Sequence, residues 1–556
     1  MVEVAISRSW CTLEPVYLCA EHSLDITYTT FDGSVALDPT LLGSNELTGT
    51  QSTDLIGASV YGTEATTSVV AMADVDVYAE AGGDQLYFVA SATAPAIAAD
   101  ATALLGSDPD YYSVVDTGTG DDWLSVNAYT NAENATATGI DGYFVTTGDG
   151  TDAVNAYVEA TGDVATAYGT TVAIIDLGNA DGASSYLSSS SPGGAGSYDS
   201  VGDRLDLSAR ANGADAYAVG ASSTELTSGT GDDLVNVWAS AMGESWGSVA
   251  EIAVAVAIED STLSTGGGDD WVNLNAVAQG LETWAIGADS SSIDTGSGDD
   301  QLNLWARTTD TAFIDPAYGA IDTSIDLGSG DDRTWVNASA NGADGSVLEA
   351  GGLLGTDPDW YSVLDGGSGD DALSISADAR AQQSGDSTLI SEATATGVEG
   401  YVVQAGEGQD WLNVWANATG DVATAYGTYD AILDSGNAPE GRTTVWYGNS
   451  SSGGGWSYDT LNGDQISVSA TASGADAYAV GVSSSEVVSG SGDDMVNVWT
   501  NAMGETWGAL AEVATAVALE DSTISTGAGG DQVSLSANAQ GLETWAIAAD
   551  SSSIDT

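Results

Sequence analysis

One short box, repeated along the chain, constrains the fold more than any other feature. It reads apolar-x-Thr/Ser-Gly-x-Gly-Asp-Asp-x-apolar-x-apolar-x-Ala. The clear copies are GTGDDWLSVNA from Gly118, GTGDDLVNVWA from Gly229, GGGDDWVNLNA from Gly266 and GSGDDQLNLWA from Gly296. GSGDDRTWVNA from Gly328, GSGDDALSISA from Gly367, GEGQDWLNVWA from Gly406 and GSGDDMVNVWT from Gly490 complete the set. Looser copies centre on Asp84, Asp152, Asp203, Asp464 and Asp531. With the second Asp as anchor, copies recur about every 30 to 39 residues, except where insertions stretch the interval ahead of Asp203 and Asp464. Such a period means one small structural unit per repeat, stacked on its neighbours.

A longer repeat overlies the short one. LLGSDPDYYSVVDTG from Leu104 returns as LLGTDPDWYSVLDGG from Leu353, TGDVATAYGT from Thr161 returns from Thr419, and GLETWAI from Gly280 returns from Gly541. A block of about six units has therefore been duplicated, insertions included. The organisation expected is an atypical N-terminal segment or cap at 1–50, repeats at 51–352 with an inserted loop at 178–202, and the duplicated repeats at 353–556 with the matching loop at 436–463. The text stops at SSSIDT, which at Ser291 runs straight on into a box, so the last unit is expected to end part-way through.

After each anchor Asp the pattern alternates. Val235 and Val237 flank Asn236 with Ala239 following; Val272 and Leu274 flank Asn273; Leu302 and Leu304 flank Asn303; Leu412 and Val414 flank Asn413. A period of two with β-branched and long apolar residues is a strand with one buried face. Val115, Leu226, Leu263, Ile293, Ile325, Leu364 and Val487 stand seven residues ahead of their anchors and are expected to plug the same core. Between boxes, LETWAI from Leu281 offers a return strand ending at a turn over 289–292. The expectation is an all-β, parallel β-solenoid or β-roll-like stack of ~30–40-residue coils, since one coil cannot bury its own inner face and stacking can. Parallel stacking sets equivalent residues about 4.8 Å apart. The Gly-Asp turns then line one edge, and their carboxylates form a column of like charge.

That column belongs to a strongly acidic chain. Its 82 Asp and Glu against seven Lys and Arg give a formal charge of -75, all seven basic residues being arginine. A basic groove for nucleic acid is excluded, and the charge opposes docking on an anionic membrane surface. No stretch approaches the length of an apolar membrane span, and the first twenty residues lack the pattern of a secretory signal. Cys11 and Cys19 are the only cysteines and His22 the only histidine. They are too few for a zinc site, and a disulfide or two free thiols both remain open.

The box resembles the haemolysin-type, or RTX, nonapeptide G-G-x-G-x-D-x-apolar-x of secreted bacterial proteins. That resemblance implies calcium ions between stacked turns, held by the Asp side chain and by backbone carbonyls near the glycines. Carried over residue by residue, the implied metal positions are Gly118, Gly120 and Asp122; Gly229, Gly231 and Asp233; Gly266, Gly268 and Asp270; and Gly296, Gly298 and Asp300. The series continues with Gly328, Gly330 and Asp332; Gly367, Gly369 and Asp371; Gly406, Gly408 and Asp410; and Gly490, Gly492 and Asp494. One box per coil, instead of tandem nonapeptides, departs from the family pattern and places calcium on one edge only. Without calcium, the Asp-Asp pairs act as solvated turn residues of an acidic, soluble surface.

The opposite register carries the aromatics. Trp238, Trp305, Trp415 and Trp499 fall five residues after their anchors, and Trp123, Trp271 and Trp411 fall one residue after theirs, all facing outward. Asn236, Asn273, Asn303, Asn413 and Asn497 lie between, where they can also bond from rung to rung. Exposed indoles beside amides suit lateral contacts between solenoids or stacking on sugars; loops folding over them would make them core. A catalytic group should interrupt the repeat, and the interruptions are Arg204, Arg210, Arg307, Arg333, Arg380, Arg442 and His22, with no nucleophile–base set around a lone N-terminal histidine. The function expected is a non-enzymatic, calcium-stabilised, extracellular structural or adhesive solenoid at a bacterial surface, as a segment of a surface layer, filament or large exoprotein. It would associate with itself or with neighbouring solenoid segments, and glycan partners would use the Trp/Asn face. The alternative is a carbohydrate-binding or polysaccharide-modifying solenoid module.

Overall fold

The computed structural model describes residues 46–556 apart from 52, 66–67, 108–111, 179–201, 244–251, 310–313, 344, 357–361, 382–389, 437–442, 447–456, 462 and 505–512, and before residue 46 only the strand segments 3–8, 22–32 and 35–36. Cys11 and Cys19 lie outside the described residues, as does most of both inserted loops. Among the described residues every regular element is a strand. The chain is a parallel β-solenoid, divided into two compact units, Met1–Gly296 and Ser297–Thr556. The boundary falls inside a box, whereas the boundary drawn at 352/353 follows the duplicated text.

From Asp152 onward each complete coil contributes three strands, while in the two coils before it the box and return segments run together as Gln85–Leu105 and Trp123–Asp141. The box strand follows the anchor Asp, a return strand of about eight residues follows it, and a three- or four-residue strand leads into the next box. In the first unit the box strands Ala153–Thr161, Arg204–Gly213, Leu234–Gly243 and Trp271–Gln279 pair in parallel. The return strands Val164–Thr171, Asp215–Ser222, Ile252–Glu259 and Glu282–Asp289 pair likewise. The second unit repeats this with box strands from Gln301–Thr309 to Gln532–Gln540. Register survives the insertions: Ala153 pairs with Arg204 and Trp411 with Gln465. The extra residues therefore leave the stack without shifting a side chain to the wrong face. At the N-terminus the order changes, and Glu3–Arg8 runs antiparallel to His22–Asp32.

The alternation read from the sequence is the alternation of burial. Val235, Val237, Ala239, Val272, Leu274, Leu302, Leu304, Leu412 and Val414 are buried, as are the seven plugs from Val115 to Val487. Alanine fills much of the rest, as in the column Ala209, Ala239 and Ala276. Two fully buried tyrosines tie distant coils together. The Tyr143 hydroxyl donates to the Val75 carbonyl at 3.2 Å and accepts from its N–H at 3.3 Å. Tyr401, its counterpart in the duplicated block, does the same with Thr323 at 2.9 and 2.8 Å.

Candidate functional site

The box corner is built by close approach of backbones. A side chain on Gly268 would put its Cβ 1.9 Å from the Gly231 carbonyl oxygen, and one on Gly369 would come 1.7 Å from that of Gly330. Both residues also hold left-handed φ values, 136° and 139°, which disfavour any residue with a Cβ. The first glycine's carbonyl is used from rung to rung: Gly267 N–H donates to Gly229 O at 3.0 Å and Ser368 N–H to Gly328 O at 3.0 Å. The glycines assigned to metal by the resemblance thus have a full structural reason of their own.

The anchor aspartates follow these glycines into a buried column. In the first unit the N–H of Asp54 donates to Oδ1 of Asp84 at 2.6 Å, Asp84 to Asp122 at 2.6 Å, Asp122 to Asp152 at 2.8 Å, Asp152 to Asp203 at 2.7 Å, Asp203 to Asp233 at 2.7 Å and Asp233 to Asp270 at 2.8 Å. In the second unit Asp300 donates to Asp332 at 2.7 Å, Asp332 to Asp371 at 2.8 Å, Asp371 to Asp410 at 2.9 Å, Asp410 to Asp464 at 3.0 Å, Asp464 to Asp494 at 2.9 Å and Asp494 to Asp531 at 3.1 Å. Each carboxylate therefore caps the amide of the coil before it.

The first Asp of the pair works in the opposite direction. Asp269 N–H donates to Asp232 Oδ1 at 3.0 Å, Asp331 to Asp299 at 2.9 Å, Asp370 to Asp331 at 2.9 Å and Gln409 to Asp370 at 2.9 Å. An Asp-Asp pair thus holds both neighbouring coils, the exposed member gripping the next coil and the buried member the previous one. Charge-assisted bonds of this kind are stronger than neutral ones. The recurrence of Asp-Asp was the visible signal for the outer ladder; read through the family pattern, its first position is merely variable.

A third ladder runs along the corner after the return strand. The N–H of Ser261 donates to Ser291 Oγ at 3.1 Å and that of Ser485 to Ser522 Oγ at 3.0 Å. Those hydroxyls in turn donate to carbonyls two residues back, Ser291 to Asp289 at 2.7 Å and Ser522 to Glu520 at 2.6 Å. The sequence marked a turn here but not the serine column, whose only signal is the small recurring text Asp/Ser-Ser-Ser/Thr.

The inner ladder carries an electrostatic cost. Oδ2 of Asp84, Asp122, Asp152, Asp203, Asp233, Asp332, Asp371, Asp410, Asp464 and Asp494 is buried without a hydrogen-bond donor. The Thr117 and Thr147 hydroxyls beside this column turn to the carbonyls of Thr147 and Leu177, at 3.2 and 2.7 Å. Burial pushes Asp84, Asp122, Asp152, Asp233, Asp332 and Asp410 up to about 7, against the lowering effect of the capped amide. Burial with neighbouring carboxylates takes Asp371 and Asp464 to about 8 and Asp203 to about 9. In an oxygen-only setting, a buried acceptor with no donor fits positive charge, either a proton or a hard cation. Each of those ten coils presents one such oxygen, whereas at Asp531 the Thr526 hydroxyl donates to Oδ2 at 2.9 Å. Among the described residues no three Asp, Glu, His or Cys side chains converge as a ready-made metal cluster.

The outward register holds the aromatics as expected. Trp123, Trp305, Trp411 and Trp499 are 41, 42, 41 and 42% exposed, while Trp238, Trp271 and Trp415 are half-buried. The asparagine column bonds laterally in part: Asn273 donates to Asn236 at 2.9 Å and Asn236 to Asp206 at 2.8 Å. Arg204 and Arg380, two of the interruptions, pair with acids on their own strands, Asp206 at 2.6 Å and Asp378 at 2.7 Å.

Fold and ladders together define a parallel β-solenoid with a carboxylate-laddered corner. Compared with protein-family models, curated proteins and solved structures, the chain matches none.

Proposed function

We propose that this chain is a calcium-stabilised structural or adhesive β-solenoid of the bacterial exterior, a segment of a surface layer, filament or large exoprotein. One observation carries the reading: the same buried carboxylate, with one oxygen capping an amide and the other lacking a donor, recurs coil after coil. A catalytic centre is a local interruption of a repeat; this feature is the repeat itself, and its work is to hold coils together.

The residues that would hold the metal are the anchor aspartates, through Oδ2, in the series the RTX resemblance assigns. Bound calcium would supply positive charge to a buried acidic column and so couple ion binding to folding. The hydrogen-bond ladder supplies register, and the ion offsets the charge of the groups that make it. Extracellular calcium suits this arrangement, as does a chain whose remaining charge repels nonspecific partners. The outward tryptophans would make the lateral contacts of an assembly.

Calcium titration of the full chain, read by far-ultraviolet circular dichroism and by thermal melting, tests the cation. A raised midpoint supports the reading, and an unchanged midpoint with unchanged strand signal rejects it. For assembly, light scattering of the parent and of a Trp238→Ala, Trp305→Ala, Trp499→Ala variant is the corresponding measurement. Unaltered particle size in the variant rejects the lateral role.

A further inference from the structure

In the second unit the outer face of the box-strand sheet is interrupted by a groove of about 490 Å³. Its end walls are Trp305 and Trp415, and its floor includes Asn337, Ser339 and Ser376. Trp305, Asn337, Ser376 and Trp415 occupy one column of four successive strands. The two indoles therefore stand about 14 Å apart, three strand spacings, with small polar residues between them where the column sinks.

Two of the chain's seven basic residues meet here, Arg307 and Arg380. Asp378 fixes one of them: Arg380 Nε donates to Asp378 Oδ1 at 2.8 Å, and Asn417 donates to the same oxygen at 2.8 Å. Arg307 is exposed, and among the described residues it has no ion pair. With two guanidiniums and one carboxylate, the groove is locally cationic on a chain of charge -75. Seven coils earlier in the sequence, Tyr61 and Asn131 stand at the register positions of Arg307 and Arg380, and Ser59 at that of Trp305. The groove is thus a local departure from the repeat, unlike the ladders.

We propose that this groove binds short acidic oligosaccharides. The apolar faces of sugar rings stack on the flat indoles of Trp305 and Trp415, which offer large, rigid, amphipathic surface. Asn337, Ser339 and Ser376 meet ring hydroxyls, and a sugar carboxylate takes the Arg307 guanidinium, whose planar fork matches it. The volume lies in the range of small-ligand sites with a few placed polar groups. The Asp378–Arg380–Asn417 cluster holds the far wall rigid and keeps a second guanidinium in place. The charge of the rest of the molecule repels acidic ligands, which favours their binding at this locally cationic groove.

The test is isothermal titration calorimetry of the full chain with tetragalacturonate and with neutral cellotetraose, in one calcium-containing buffer. Saturable binding of the acidic probe is expected, weakened about tenfold or more by Trp305→Ala and by Arg307→Gln. Arg333→Gln, which removes the same charge outside the groove, should leave it unchanged, and circular dichroism verifies that each variant keeps its strand content. Absence of binding overturns the proposal. So does affinity undiminished by Trp305→Ala, or cellotetraose binding as tightly as the acidic probe.

Discussion

The backbone N–H of Asp332 donates to Oδ1 of Asp371, one coil further on, at 2.8 Å, while the N–H of Asp370 donates back to Oδ1 of Asp331 at 2.9 Å. Two adjacent carboxylates thus clasp two adjacent coils in opposite directions. Removing the inner one strands a buried amide, which costs about 1–3 kcal/mol. Asp371→Ala should therefore lower the urea unfolding midpoint clearly. Asp371→Asn keeps an acceptor oxygen without the charge, and at pH 8 in chelator it should be at least as stable as the parent. Equal losses in both variants would show that the carboxylate does something other than cap an amide.

The box glycines should tolerate no side chain even where metal is absent. Gly369→Ala would drive a Cβ to 1.7 Å from the Gly330 carbonyl at a φ of 139°. Thermal melting in chelator is expected to show a large drop for this variant. An unchanged midpoint would mean that the coils can separate locally at that corner.

Proton linkage has a definite sign. Asp84, Asp122, Asp152, Asp233, Asp332 and Asp410 are raised from 3.8 to about 7, with Asp371 and Asp464 at about 8 and Asp203 at about 9. Between these limits the folded chain binds more protons than the unfolded one, so stability falls as pH rises. In chelator, the contribution of these groups is complete below about pH 4 and is lost as the pH climbs through their folded values. Melting midpoints measured from pH 4 to 9 should decline. Asp203→Asn should flatten the upper end of that profile, whereas a midpoint rising with pH would contradict the assignment.

At the corner after the return strand, Val172 sits at φ 47° and is 46% exposed. Its counterpart in the duplicated block is Asp430 at φ 48°, and β-branched residues fit that region poorly. Val172→Asn should raise stability by about 1 kcal/mol, read as a higher urea midpoint. A lower midpoint would place the valine in a packing role.

The fold was legible because its signals are local and repeated. Alternation around Asn236, Asn273 and Asn413 marked buried faces, and the plugs from Val115 to Val487 followed from a constant offset. The ladders were less visible. A column of like charge read as repulsion awaiting a cation, because sequence spacing does not show that Asp371 Oδ1 already caps Asp332. The serine ladder through Ser261 and Ser291 was hidden by the commonness of serine in turns. The groove between Trp305 and Trp415 depends on which coils are neighbours, and Arg307 and Arg380, noted as interruptions, come together only when the coils between them are stacked.

On the proposed function, the buried aspartate column needs positive charge to be stable. The most direct measurement is the melting midpoint of the full chain at pH 8 in chelator and with added calcium, beside the variant carrying Asp332→Asn, Asp371→Asn and Asp410→Asn. A marked rise with calcium is expected in the parent and a smaller one in the variant. A midpoint indifferent to calcium, or an equal rise in both proteins, would contradict it.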